Sequence, residues 1–226
     1  MIKYLLTTLT ISIVSFLLII QPDIGQTLLV VFSWSGLIFT SGINIFILLA
    51  FFCLAIILLT YLIIYVPKFD YIQGRILSFF DRETGTHNFQ SDKAIDSITS
   101  GGFFGKGIGE GILKNRVPEA HTDYIISVIS EEFGVVAIIL ILLLFLVFIY
   151  MVFKKISFET DDRIRLILIG SISLILMQAT IHIGVNIRLF PTTGMTLPFL
   201  SYGGSSIVST SILAGIILNL TKRRIN

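Results

Sequence analysis

Long apolar runs separated by short polar stretches make up most of this chain, and one polar stretch near its middle is much longer than the rest. A helix that crosses a bilayer needs about 20 largely apolar residues. The pattern predicts such helices over residues 4–20, 26–40, 43–66, 133–153, 166–187 and 204–220. The second run is short, and residues 23–25 complete it at its mouth. Residues 67–122 form the long loop between the third and fourth runs. The expected fold is an all-α integral membrane protein, a single membrane domain over residues 1–226 with about six transmembrane helices and a large extracytoplasmic loop.

Polar residues interrupt this pattern in four places. After Pro118, which ends any earlier helix, Thr122 or Asp123 is placed to cap a new one, because a short side-chain oxygen accepts from first-turn amides. On that helix Asp123, Ser127, Ser130 and Gly134 share one side, with Glu131 beside them. A polar stripe at membrane depth must face water or protein, not lipid. Residues 21–25 (Gln-Pro-Asp-Ile-Gly) and 191–206 break helices with proline and glycine, so their backbone groups need partners in protein or in a wet cavity. Asp23 is read as a cap for the second helix. In the fifth run Gln178, Thr180, His182 and Asn186 form a stripe suited to interhelical hydrogen bonds. Residues 81–100 mix charges without apolar periodicity and are expected to be a solvated loop. No internal repeat or low-complexity tract is present.

Composition strengthens the membrane assignment. Charged residues are 13% of the chain, against roughly 25% in soluble domains, hydrophobic residues are 54%, and mean hydropathy is +0.94. A net charge of +2 and the lack of a basic–aromatic stripe argue against nucleic acid as a partner. Cys53, the one cysteine, is expected as a lipid-facing or packed small hydrophobe. The first apolar run lacks a small-residue cleavage site and is read as a retained span. Six spans put both termini on one side. Lys3, Lys154, Lys155, Arg163, Arg165, Lys222, Arg223 and Arg224 would share that face, which the positive-inside bias makes cytoplasmic. The loop over residues 67–122 also carries cations, but the bias weakens in long loops.

Candidate chemistry gathers on the opposite, outer face. Asp123 is either a helix cap or a carboxylate at the membrane mouth, serving as a general base or as a ligand for a divalent cation. Glu119 and His121 stand close in sequence, but spacing alone builds no metal site from the three, and no other cofactor is expected. Residues 100–111 hold six glycines in twelve positions. Such a run either turns its amides on a phosphate or is a flexible re-entrant turn. Lys106, Lys114 and Arg116 could together hold a diphosphate, in competition with salt bridges to Glu110 and Glu119. Arg188 is an interfacial snorkelling residue or an anion ligand, and Glu131 and Glu132 could simply sit in the headgroup layer.

Four motifs go further. Residues 21–25, the stretch Gly-Gly-Phe-Phe-Gly-Lys-Gly at 101–107, Pro-Glu-Ala-His-Thr-Asp-Tyr at 118–124 followed by Glu-Glu-Phe-Gly at 131–134, and the segment from Pro191 to Ser206 resemble, in order and spacing, the SEDS family (shape, elongation, division and sporulation) of FtsW, RodA and SpoVE. The wording at 118–123 and at 196–206 is closer to the division branch than to the elongation branch. This resemblance implies a multi-pass protein of the bacterial inner (cytoplasmic) membrane at the division septum. It implies a peptidoglycan glycosyltransferase that polymerises lipid II, the undecaprenyl diphosphate-linked substrate, beside a class B penicillin-binding protein and other divisome proteins. The family's catalytic aspartate maps onto Asp123. Lys106, Lys114, Arg116 and Arg188 would stabilise the leaving diphosphate, and Glu119, His121, Ser201 and Tyr202 would contact substrate.

Two departures shape the expectation. Thr193 stands where many members carry lysine, which would shift anion binding toward Arg188. The resemblance also reaches only the last six of the family's about ten spans, so the chain is expected to be a fragment, half of a split protein or a truncated product. Two rival functions remain: a lipid II flippase, for which broken helices are equally suited, and a non-catalytic divisome scaffold.

Overall fold

A computed structural model describes residues 2–80 and 86–222. They fall into two compact units, Met1–Gly85 and Thr86–Asn226. Arg223 and Arg224, two of the cations behind the expected orientation, lie outside the described residues.

The first unit holds α1 (Ile2–Ile20), α2 (Ile24–Thr40), α3 (Ile45–Tyr65) and α4 (Asp70–Phe80). Asp23 caps α2 as expected, its Oδ1 accepting from the Gln26 amide at 2.9 Å. Asn44 does the same for α3, accepting from Phe46 at 2.9 Å. Helix α2 buries a mixed face that includes Ser33, Trp34, Ser35 and Ile38. The Tyr4 hydroxyl donates to the Ser41 carbonyl at 3.1 Å, tying the start of α1 to the end of α2. In α3 no residue is buried and nearly every one is apolar, the signature of a helix whose solvent is lipid. Cys53 is exposed on it. Part of the stretch expected as loop is ordered: Pro67 opens a 3-10 turn, Pro67–Phe69, that leads into α4.

The second unit holds α5 (Thr86–Ser100), α6 (Ile125–Phe158), α7 (Asp162–Asn186) and α8 (Gly204–Thr221). Helix α5 corrects the expectation of a solvated loop over residues 81–100, of which 81–85 lie outside the described residues. Its inner face consists of Ser91, Ala94 and Ser97, all buried, at a spacing of three. Small residues let α5 lie close on α6, and they leave no large apolar side chains to betray a helical period. Around the α6–α7 turn, α6, α7 and α8 interlock through Val152, Ile156, Leu168, Ile172, Ile175 and Ile217. All six expected apolar runs are helical. Four of them (α3, α6, α7 and α8) have the length and hydropathy to cross a membrane, and the apolar parts of α1 (Tyr4–Ile20) and α2 (Ile24–Thr40) are shorter.

Helix α6 is interrupted where its apolar run begins. Gly134 adopts φ 76° and ψ −177°, a conformation that side-chain-bearing residues essentially never occupy. A regular helix would bond the Val135 and Val136 amides to the Glu131 and Glu132 carbonyls. Here the glycine-rich loop takes both halves of each bond. Val135 and Val136 donate to the carbonyls of Gly102 and Phe103 at 3.0 and 3.3 Å, while Lys106 and Gly107 donate to the carbonyls of Glu131 and Glu132 at 2.9 and 3.0 Å. A Cβ on Gly134 would stand 2.2 Å from the Phe103 carbonyl oxygen, and one on Gly101 would stand 1.9 Å from that of Ser130.

Gly134→Ala is therefore expected to cost at least about 1–3 kcal/mol from backbone strain alone, with the steric overlap added. Thermal unfolding in detergent should show a lowered midpoint, and trypsin should gain access to Lys106.

Candidate active site

The segment that follows Val117 winds around one carbonyl. Glu119 has φ 53°, and its carbonyl oxygen accepts from the amides of Thr122, Asp123 and Tyr124 at 3.2, 3.0 and 3.3 Å. Buried Val117, Ala120 and Tyr124 anchor this turn. Helix α6 then starts with Tyr124 at its cap, and no side chain caps it. The expectation that Thr122 or Asp123 caps this helix is thus corrected. The Thr122 hydroxyl turns back to the Glu119 carbonyl and carboxylate, both at 3.1 Å. The carboxylate of Asp123 is half-buried, and a Cβ built on Gly194 would lie 3.6 Å from its Oδ2.

Three successive carbonyls hold this segment to the broken region after α7. The Tyr202 amide donates to His121 at 2.9 Å, the Ser201 hydroxyl to Thr122 at 2.7 Å and the Asn186 Nδ2 to Asp123 at 3.0 Å. Asn186 belongs to the polar stripe of α7. Gln178, His182 and Asn186 recur every fourth residue and face the broken segment: Gln178 donates to the Thr196 carbonyl at 3.0 Å, and His182 Nδ1 lies 2.7 Å from the Met195 carbonyl. A carbonyl requires that Nδ1 carry the proton, which leaves Nε2 to accept from Asn186 Nδ2 at 3.2 Å. Thr180 does not join them, because it is exposed and bonds the Leu176 carbonyl of its own helix.

Asn186→Ala removes the only side-chain bond described to the Asp123 carbonyl and unpairs His182 Nε2. An expected loss of about 1–3 kcal/mol would be read as a lowered unfolding midpoint, with the amide of Asp123 exchanging faster with solvent.

The glycine-rich loop closes over the stripe at the start of α6. Ser127, Ser130 and Glu131 are each fully buried, so this stripe faces protein. Glu131 is held by five donors. Its Oε1 accepts from the amides of Ile112 and Leu113 at 3.0 and 2.9 Å and from Lys106 Nζ at 3.4 Å, and its Oε2 from the Lys114 amide at 2.6 Å and the Ser97 hydroxyl at 3.0 Å. Glu132 accepts from the Gly109 amide at 3.1 Å and pairs with Lys114 Nζ. The headgroup placement expected for Glu131 is corrected by this burial. The anion that these amides surround belongs to the chain itself, and the lysine partners are Glu131 and Glu132 instead of Glu110 and Glu119. The sequence carried a clue in the matching of a glycine-rich run with a pair of acids next to Gly134.

A glutamine at 131 would turn an amide donor toward a shell made only of donors. Glu131→Gln should cost at least about 1–3 kcal/mol, and hydrogen exchange at residues 112–114 should lose its protection.

The remaining candidates are spread around the mouth. Glu119, His121, Arg116 and the ring of Tyr202 are exposed, while Ser201 is buried and accepts from the Leu197 amide at 2.8 Å. Arg188, with φ 59°, forms an ion pair with Asp92 of α5, and its Nη2 is buried with no hydrogen-bond partner among the described residues. Thr193 is buried. No group of three or more His, Cys, Asp or Glu side chains comes together among the described residues to hold a metal. A groove of about 540 Å³ lies beside His121, lined also by Ile125, Ser201, Tyr202 and Ile207. Phe199 and Leu200 are shared with a second groove of about 410 Å³, walled by Ile141, Leu144, Phe145 and Phe148 of α6. Both grooves are lined mainly by apolar side chains, with His121, Ser201 and Tyr202 bringing polar groups to the first.

Apolar helices of spanning length, one of them interrupted near its N-terminal end and packed there against a broken segment, define a multi-pass membrane protein. The cell cycle protein family of FtsW, RodA and SpoVE matches residues 1–226, and the chain belongs to that family, as its motifs led one to expect. It is 35% identical over 215 residues to the probable peptidoglycan glycosyltransferase FtsW of Caulobacter vibrioides, covering 92% of this chain and 52% of that one. Against the protein of the same name from Francisella salina it is 36% identical over 224 residues, covering 96% and 55%. The chain spans about half the length of these curated relatives. Its fold is similar to a chain in a solved peptidoglycan synthase complex that coordinates polymerization and crosslinking, with a TM-score of 0.75 and 30% identity over 96% of this chain and 60% of that chain.

Proposed function

We propose that this chain carries the outer-face chemistry of a peptidoglycan glycosyltransferase that polymerises lipid II during septal wall synthesis. Two neighbouring grooves beside the Asp123 segment, with Phe199 and Leu200 in the walls of both, support this reading most directly. A lipid-linked sugar needs an apolar trough for its chain and hydrogen-bonding groups for its sugars, and here an apolar groove along α6 lies next to one that presents His121, Ser201 and Tyr202. Asp123 acts as general base. It takes the proton from the attacking sugar hydroxyl as the new glycosidic bond forms, and the bond to undecaprenyl diphosphate breaks. The three bonded carbonyls at 121–123 keep the carboxylate's backbone in place, which preserves reacting geometry.

Among the cations, Lys106 and Lys114 are already engaged by Glu131 and Glu132. Arg116, exposed, is better placed to meet the departing diphosphate, and Arg188, held by Asp92 through Nη1, would join it through Nη2, which has no partner among the described residues. His121, Ser201 and Tyr202 line the mouth where the sugars would lie, and Glu119 flanks it. The protein works in the bacterial inner membrane with cytoplasmic termini, beside a class B penicillin-binding protein. Lys154, Lys155, Arg163 and Arg165 around the α6–α7 turn support that orientation.

The broken segment after α7 also suits a flippase, since interrupted helices line transport sites. Purified protein with its transpeptidase partner, supplied with lipid II, separates the readings. Asp123→Asn should lower polymer formation by roughly 10²–10⁴-fold while lipid II still binds. Lost translocation with polymerisation intact would favour transport, and a variant that supports division as well as the unaltered chain although it forms no polymer would leave only a scaffold.

A further inference from the structure

Four large apolar side chains on the glycine-rich loop point away from the protein: Phe103, Phe104, Ile108 and Ile112 are 75%, 85%, 78% and 65% exposed. Their backbone is not loose. Gly102, Phe103, Lys106 and Gly107 are bonded to the interruption in α6, and Ile112 donates to buried Glu131. Such anchoring fixes their depth. Counting outward along α6 from Lys154, about 20 residues at 1.5 Å each fill the hydrocarbon layer and bring its outer limit to the neighbourhood of Gly134. The Phe103 carbonyl bonds the Val136 amide at that level. On α6 itself Phe133, Val136, Ile139 and Leu140 are exposed and apolar, so the loop's side chains extend a surface that already faces lipid.

We propose that Phe103 and Phe104, with Ile108 and Ile112 beside them, insert into the boundary between headgroups and acyl chains of the outer leaflet and hold the loop on the membrane. Burying apolar side chains at that boundary is the same attraction that fastens amphipathic segments to bilayers. The glycines make it workable, because they let the loop backbone bond to α6 without side chains of its own in the way, and the large residues between them are turned outward. The occupant is lipid, with no protein partner needed.

Collision accessibility of a nitroxide label tests this in the full chain, reconstituted in phosphatidylethanolamine–phosphatidylglycerol vesicles. Cys53→Ala removes the native thiol, and labels are placed singly at Phe104→Cys, at Ile108→Cys, at the lipid-facing reference Leu140→Cys and at the aqueous reference Asp162→Cys. The expected result is an oxygen-to-nickel-chelate collision ratio at 104 and 108 shifted away from that at 162 and toward that at 140. A ratio equal to that at 162 would mean that the loop stands in water, and low accessibility to both reagents would mean that protein covers it. Either would overturn the proposal. If Phe104→Cys does not fold, the label at Ile108→Cys alone distinguishes the same three outcomes, and no substrate is required.

Discussion

A membrane helix cannot be opened at bilayer depth unless the groups it releases are bonded again, since each unsatisfied backbone group there costs several kcal/mol. The second unit of this protein is arranged around an opening where the apolar run of one such helix begins. At Gly134 the α6 ladder loses its bonds from residues 135 and 136 to residues 131 and 132, and a loop more than twenty residues upstream replaces them. The same loop then encloses the Glu131 carboxylate with amides from residues 112–114. Backbone and side chain of one short helical stretch thereby determine the path of the whole segment from Gly101 to Lys114.

That path decides what the region can do. A glycine-rich run with nearby lysines has the composition of a phosphate site, but here the negative charge is internal and the lysines neutralise it. In the proposed reaction, diphosphate recognition therefore falls to Arg116 and Arg188. On the other flank, the polar face of α7 holds the broken segment at Met195 and Thr196, and that segment and α7 together grip the carbonyls of residues 121–123. Asp123 is thus positioned through main-chain oxygens, its own among them.

Much of this is legible from residue order. Uninterrupted apolar runs specify the six helices, because a bilayer imposes a length and a composition that few other contexts share. Asp23 announces itself as a cap through its place after Pro22, and the face made by Gln178, His182 and Asn186 is visible as spacing. Helix α5 is not legible, because its contact surface is serine and alanine and carries no apolar period. Thr180 falls outside the polar face of α7 because two-residue spacing does not keep a helical side chain on one side. Glu131 looks like a headgroup residue in sequence because its five donors come from residues 97 and 106–114, and no local pattern brings them to it.

The sequence by itself determined a helical membrane protein and its family, and it put forward Asp123 as the acid for the proposed chemistry. These are properties of composition, period and motif, all carried by neighbouring residues. Only the tertiary structure decided which anion the glycine-rich loop surrounds, how the lysines are engaged and that two grooves share Phe199 and Leu200. Those outcomes depend on hydrogen-bonding groups competing for partners across distant parts of the chain, and a competition of that kind is settled only when the chain has folded.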